Sequence, residues 1–143
     1  MKKLTCRGRC FCGAIAMTFE TVRAPKKTPL RMCNCSFCLK HGARNTSDPE
    51  GRVRFLVKKP ARLSKFDFRK SSGGRLLCSH CGVYLGIAYR IDGRWYASLN
   101  VNALDRCEEF SQAPEVVDYS RETKAAKAAR RTARWTPAAV TFA

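Results

Sequence analysis

The sequence has no long apolar run and little acidic charge. None of its 143 residues belongs to a stretch near the roughly 18 to 20 apolar residues that a membrane-spanning helix needs. The first residues, from Met1 to Leu4, are not followed by an apolar segment, so we expect no secretory signal peptide. These two absences predict a cytoplasmic protein with no membrane partner.

The shortage of acidic residues leaves a strongly basic chain, with 11 Asp and Glu against 28 Lys and Arg and a formal charge of +17. Such a charge attracts anions, nucleic acids among them. The basic residues are spread over 40–75 and again over 121–134 rather than concentrated in one block. This spread favours a solvated surface that attracts small anions without specificity over a dedicated nucleic-acid site.

Cysteine, by contrast, is abundant: the chain has nine, an odd number, and most of them are clustered. In a cytoplasm that keeps thiols reduced, clustered cysteines bind metal more often than they form disulfides. A secreted disulfide-bonded protein is the less favoured alternative, because the signal sequence is missing.

Alternating apolar residues predict a mainly β fold. Period-two patterns occur at 14–19, 52–57 and 62–68, and a flexible turn at 71–74 precedes another apolar segment. Asp92 and Gly93 separate two further strand-like runs, and this dipeptide favours a two-residue hairpin turn because both residues accept positive φ.

The C-terminal segment has a different composition. Residues 120–135 are rich in Ala, Lys and Arg, which predicts a basic helix with Ser120 as N-cap and Glu122 in its first turn. Its apolar face would be mostly alanine and would bury little surface. We therefore divide the chain into a metal-binding domain at 1–115 and a basic C-terminal extension at 116–143 with a helix.

Seven cysteines form three local groups: Cys10 with Cys12, the triplet Cys33, Cys35 and Cys38, and Cys78 with Cys81. A closed structural zinc site takes four ligands. The two pairs together supply four thiolates, so Cys10, Cys12, Cys78 and Cys81 form the natural structural set. Gly13 and Gly82 follow the pairs, where tight metal-binding turns often need positive φ.

The triplet would then hold a metal ion with one coordination position open, as catalytic zinc sites do. Two alternatives remain. Cys38 and one neighbour could join an outer pair in a single four-cysteine site, or His41 or His80 could complete the triplet site. Cys6 and Cys107 belong to no group and are interpreted as small hydrophobic residues.

Three stretches in order resemble the glutathione-dependent formaldehyde-activating enzymes and the related centromere-protein-V-like proteins. They are residues 8–15 (GRCFCGAI), residues 33–38 (CNCSFC) with Gly42, and residues 77–82 (LCSHCG); residues 99–105 (LNVNALD) also resemble the family. The similarity extends over roughly residues 5 to 110. The basic C-terminal segment has no counterpart in the family pattern.

The resemblance implies a β-tent fold of small antiparallel sheets around a structural zinc at Cys10, Cys12, Cys78 and Cys81. It implies a catalytic zinc at Cys33, Cys35 and Cys38, and hence two zinc ions per chain, the second more labile. It also implies a carbon–sulfur lyase that joins glutathione to formaldehyde. Because three thiolates weaken the Lewis acidity of the ion, activation of a thiol at the open position is favoured over polarisation of a carbonyl. The competing hypothesis is a non-enzymatic zinc module that binds nucleic acid or another acidic partner.

Overall fold

The computed structural model describes residues 2–143, which fold into a mainly β structure, as predicted. Within these residues there are ten strands and two α-helices. The strands are β1 (Leu4–Arg9), β2 (Ile15–Thr21), β3 (Arg31–Cys33), β4 (Asn45–Thr46), β5 (Arg52–Val57), β6 (Gly73–Leu77), β7 (Tyr84–Ile91), β8 (Arg94–Asn100), β9 (Glu115–Val117) and β10 (Thr136–Phe142). The helices are α1 (Ser36–His41) and α2 (Lys124–Arg134). No helix in residues 2–143 is long and apolar enough to cross a membrane.

The strands are linked in a branched sheet. Its main path runs β1-β2-β5-β10-β8-β4-β3-β9, and the β6–β7 hairpin joins it where β7 pairs with β8. Most neighbours are antiparallel, but β10 runs parallel to β5, and β9 runs parallel to β3. The sheet therefore brings β3, which carries one cysteine of the triplet, next to the segment that leads to α2.

The centre of the core lies on β2 and β5, where the predicted alternation is observed. Val53, Phe55 and Val57 are fully buried, while the residues between them are exposed. Burying a large apolar side chain stabilises the fold by about 1.5–3 kcal/mol. β5 is therefore a fixed support for β2 on one side and β10 on the other.

The predicted hairpin is also confirmed. Asp92 and Gly93 have φ values of 50° and 78° and join β7 to β8 in a continuous antiparallel register. Among the described residues, Asp92 is the one non-glycine residue with a positive φ. A type I′ turn requires positive φ at its first central position, which Asp92 occupies.

The strand predicted at 62–68 is wrong. Pro60–Arg62 form a 3₁₀ turn, and this region pairs only through an isolated bridge between Leu63 and Cys78. The Ser64 hydroxyl accepts a hydrogen bond from the amide of Phe66 at 3.3 Å, which offers the backbone a turn instead of a strand ladder. Phe66 is 80% exposed, so it does not share a buried face with Phe68.

The basic C-terminal helix is present, but it begins later than predicted. Thr123, not Ser120, is the N-cap, and its hydroxyl accepts from the amide of Ala126 at 3.1 Å. The amide of Ser120 instead donates to the Asp118 carboxylate at 2.9 Å, which forms a turn ahead of the helix.

A strand that the sequence did not predict follows α2. β10 lies between β5 and β8, so the last residues of the chain are hydrogen-bonded inside the sheet. Pro137 lies in this strand opposite Tyr96. α2 is thus held at both ends, by the segment that continues from β9 and by a central strand.

Candidate metal centres

Four cysteines meet where the turn after β1 approaches the turn between β6 and β7. The sulfur atoms of Cys10, Cys12, Cys78 and Cys81 all lie within 4.8 Å of one another. Gly13 and Gly82 follow the two pairs with φ of 81° and 78°, so each turn uses a left-handed residue directly after its second cysteine.

The sulfur positions of this first cluster fit a tetrahedral metal ion. Thiolates about 2.3 Å from zinc are about 3.8 Å apart at tetrahedral angles, and the Cys10–Cys12 and Cys12–Cys78 sulfur atoms are separated by 3.7 and 3.5 Å. The amide of Ile15 also donates to the Cys10 sulfur at 3.4 Å. Such N–H groups stabilise thiolate charge, and four soft sulfur donors are suited to zinc.

The triplet forms a second, separate cluster at the start of α1. Cys33 ends β3, Cys35 is the N-cap of α1, and Cys38 lies in the first turn of that helix. The amide of Cys38 donates to the Cys35 sulfur at 3.4 Å. The three sulfur atoms also lie within 4.8 Å of one another, so these thiolates could hold one ion with a coordination position left for a further ligand.

The alternatives left open by the sequence can now be compared with the structure. The two outer pairs meet each other, so a single site that joins Cys38 to an outer pair is wrong. Within residues 2–143 neither His41 nor His80 belongs to a cluster. The His41 ring instead packs 4.4 Å from that of Phe37.

The three thiols of the triplet differ in their surroundings. Burial, followed by the neighbouring Cys35 and Cys33 thiols, raises the pKa of Cys38 to about 12. Burial would also raise the pKa of Cys35, but the Cys38 amide, the neighbouring thiols and the positive charge of Arg75 together lower it. Cys35 is the exposed member, so the thiol that ionises first is the one that faces solvent.

A cavity of about 500 Å³ opens beside the triplet, a volume within the range of small-molecule sites. Tyr84, Ile87 and Ser98 contribute to its wall from the central strands. The segment that includes α2 contributes another part of the wall, with Tyr119, Lys127, Arg130, Arg131 and Trp135.

The cavity is strongly cationic. Five basic side chains and one carboxylate, that of Asp118, line it; the basic residues are Arg31, Arg75, Lys127, Arg130 and Arg131. Arg75 pairs with Asp67, and its guanidinium lies 4.2 Å from the centre of the Phe37 ring. Burial raises the pKa of the Tyr84 phenol, and the nearby Cys38 thiol adds to this effect, so the phenol stays neutral.

Sequence reasoning did not identify the residues of this wall. Arg31, Arg75 and Tyr84 come from separate strands, and no local spacing marks them as neighbours of the triplet. The basic residues of α2 did carry a signal, because they recur at helical spacing along one face. That signal indicates a charged stripe but not the surface that it faces.

The fold and the clusters define a mainly β protein with two sets of cysteines that could hold metal ions. Residues 5–122 match the family described as glutathione-dependent formaldehyde-activating enzyme. The chain therefore belongs to this family, as the resemblance indicated.

Two other comparisons complete this result. A crystal structure of a Rhodobacter sphaeroides protein aligns with a TM-score of 0.51 and 24% identity, covering 78% of this chain and 99% of that one. This likeness supports the fold alone. The comparison with curated proteins gives no match.

Proposed function

We propose that the protein is a zinc-dependent enzyme of the carbon–sulfur lyase type that joins a small thiol, glutathione, to formaldehyde or releases it from the adduct. The observation that carries this proposal is the three-cysteine cluster beside a cavity of about 500 Å³. Family membership supports glutathione and formaldehyde as the reactants. Because seven of the nine cysteines lie in clusters that could hold metal ions, a role that requires reduced thiols, we place the activity in the reducing cytoplasm.

The two clusters have different tasks in this proposal. Cys10, Cys12, Cys78 and Cys81 would form a closed zinc site, which contributes folding free energy and offers no position to a substrate. Cys33, Cys35 and Cys38 would hold the catalytic zinc, which supplies an open position where a thiol is bound and kept deprotonated.

The reaction itself requires little proton chemistry. The thiolate sulfur attacks the carbonyl carbon, a carbon–sulfur bond forms, and the electron pair of the C=O π bond moves to oxygen, which takes up a proton. The positive charge of Arg75 lies close enough to lower the pKa of Cys35, so it also favours a substrate thiolate bound beside that residue. Tyr84 and Ile87 give the cavity an aromatic and an apolar wall that restricts water around the reacting atoms.

NMR exchange spectroscopy with labelled formaldehyde tests the activity, since it measures the interconversion of free thiol and adduct at equilibrium. We expect the zinc-loaded protein to accelerate exchange with glutathione above the uncatalysed rate. Cys35→Ser should lose this acceleration, whereas Cys107→Ser, a cysteine outside both clusters, should keep it. Absence of acceleration with glutathione, cysteine and cysteamine alike would refute the proposed reaction.

A further inference from the structure

Helix α2 packs in the reverse of the usual amphipathic orientation. An amphipathic surface helix normally turns its apolar side toward the protein and its charges toward water. Here the alanine side is exposed, including Ala125 and Ala129, whereas Lys127, Arg130 and Arg131 are partly buried and line the cavity. The alanine face buries little surface, as expected, and the inward face of α2 is cationic instead.

Most of this inward charge forms no ion pair within the described chain. Arg130 is paired with Glu122 through contacts of 2.7 and 3.0 Å. Within the described chain neither Lys127 nor Arg131 forms an ion pair, and Arg31 donates only to the hydroxyls of Ser47 and Ser98, at 2.9 and 3.3 Å. Partial burial of several like charges costs free energy unless an anion offsets it.

Two unsatisfied atoms mark the same cavity. Within residues 2–143 the buried side-chain atoms with no hydrogen-bond partner are Asn45 Oδ1 and Arg131 Nε, an acceptor and a donor. Both residues line the cavity. A buried polar atom without a partner destabilises the folded protein. A ligand that offers an acceptor to Arg131 and a donor to Asn45 would satisfy both.

The geometry holds these groups ready for a ligand. The Arg131 guanidinium lies 4.3 Å from the centre of the Tyr89 ring and 4.8 Å from that of Trp135. Trp135 is buried, and β10 follows it directly in the middle of the sheet. A guanidinium stacked on fixed aromatic rings loses little further freedom on binding.

We infer that Lys127 and Arg131, with Arg31, form a carboxylate-binding subsite for the thiol substrate, and that Asn45 accepts a hydrogen bond from an N–H group of the same molecule. The inference rests on the proposed function and adds the residues that would select carboxylate-bearing, peptide-like thiols over other small thiols. Glutathione fits this class because it carries carboxylates at both ends and amide N–H groups between them. Lys127 and Arg131 lie beyond residue 122, where the family match ends, so this chain's C-terminal segment sets the specificity.

Calorimetric binding of S-methylglutathione tests the subsite without any reaction, because its sulfur has no proton to lose. We expect Lys127→Gln and Arg131→Gln each to weaken binding about tenfold or more, the loss of one charged hydrogen bond. The diethyl ester of the ligand should bind the wild type comparably weakly. Lys124→Gln removes a charge from the same helix but outside the cavity wall and should change binding less than about twofold.

Thermal unfolding curves identify any variant that fails to fold. If Arg131→Gln does not fold, Lys127→Gln still tests the inference, because Lys127 stacks on no aromatic ring in the described chain. Unchanged affinity in a folded Lys127→Gln variant, or equal binding of the ester and the free acid, would overturn the inference. Exchange measurements separate the two proposals. Acceleration that is equally fast with cysteamine and glutathione would refute the carboxylate subsite but support the proposed reaction. Binding of S-methylglutathione that depends on Lys127, without acceleration of exchange, would refute the proposed reaction but support the subsite.

Discussion

The sulfur atoms of Cys12 and Cys78 lie 3.5 Å apart, although 66 residues separate them in the chain. This contact joins the turn after β1 to the turn between β6 and β7. A metal ion bound there would cross-link two distant parts of the sheet, whereas an ion at the triplet would connect only β3 and α1. The clusters should therefore respond differently to loss of a ligand.

Cys78→Ser should prevent stable folding. Structural zinc contributes roughly 10–16 kcal/mol of apparent binding free energy, which matches or exceeds the roughly 5–15 kcal/mol by which a typical domain is stable. Cys35→Ser should leave a folded protein with a thermal midpoint near that of the wild type. Circular dichroism melting curves of both variants, with Cys107→Ser as control, measure the difference. Equal unfolding of the first two variants would contradict separate tasks for the clusters.

The purified protein should contain two zinc ions per chain, and a mild chelator should remove one of them first. The triplet has three ligands and an exposed member, Cys35, whereas Cys10 and Cys78 of the other cluster are fully buried. Elemental analysis gives the stoichiometry, and a colorimetric chelator gives the two release rates. A Cys35→Ser protein should retain a single, slowly released ion; release of that ion at the fast rate would reverse the assignment.

Because of the ion pair between Glu122 and Arg130, the stability of the folded protein should decrease as the pH becomes acidic. The Arg130 guanidinium holds the pKa of the Glu122 carboxyl below its usual value. A carboxyl with a lowered pKa in the folded state contributes stability above the unfolded-state pKa of about 4.3, and this contribution is lost as the pH falls through the folded-state value.

Glu122→Gln should therefore lower the thermal midpoint at neutral pH. The variant should also lose part of the fall in thermal midpoint that the wild type shows between about pH 5 and pH 3. Glu109→Gln is the matched control, because its pair with Arg106 is long, at 3.8 Å, and exposed. Exposed pairs contribute at most about 1 kcal/mol, so this variant should follow the wild-type profile. Identical profiles of thermal midpoint against pH for both variants would show that the ion pair between Glu122 and Arg130 does not stabilise the protein.

The net charge of +17 predicts weak nucleic-acid binding without sequence preference. Non-specific complexes of this kind have dissociation constants of about 10⁻⁴ to 10⁻⁶ M at physiological salt and weaken steeply as salt rises. Gel-shift titrations of two unrelated duplexes at several salt concentrations measure both properties. Tight binding to one duplex at high salt would favour the alternative of a nucleic-acid module, and no binding at low salt would exclude it.

Local patterns predicted the elements whose conformation depends on their own residues. The Asp92-Gly93 turn was predictable because positive φ at both positions is a local property. The strand Arg52–Val57 was predictable because one buried face imposes period two on its sequence. The strand predicted at 62–68 failed because the Ser64 hydroxyl and Pro60 form turns that an alternating pattern does not reveal.

The strand β10 could not be predicted from its own residues. Thr136–Phe142 contains Pro137 and two alanines, which have low strand propensity. It becomes a strand because β5 and β8 provide partners on both sides. Its pairing also fixes Trp135 and, through it, the inward orientation of Arg131.

The sequence by itself determined the fold class and the family, and it favoured sets of four and three cysteines because ligand number and local spacing limit how thiols can share metal ions. The structure then excluded the single mixed site that the spacing had left open. The tertiary structure alone decided what surrounds the triplet. Arg31, Arg75 and Arg131 come from distant segments, and only strand pairing places them around one cavity. Long-range contacts, which no local pattern specifies, therefore turned a three-cysteine cluster into a cationic site suited to an anionic thiol.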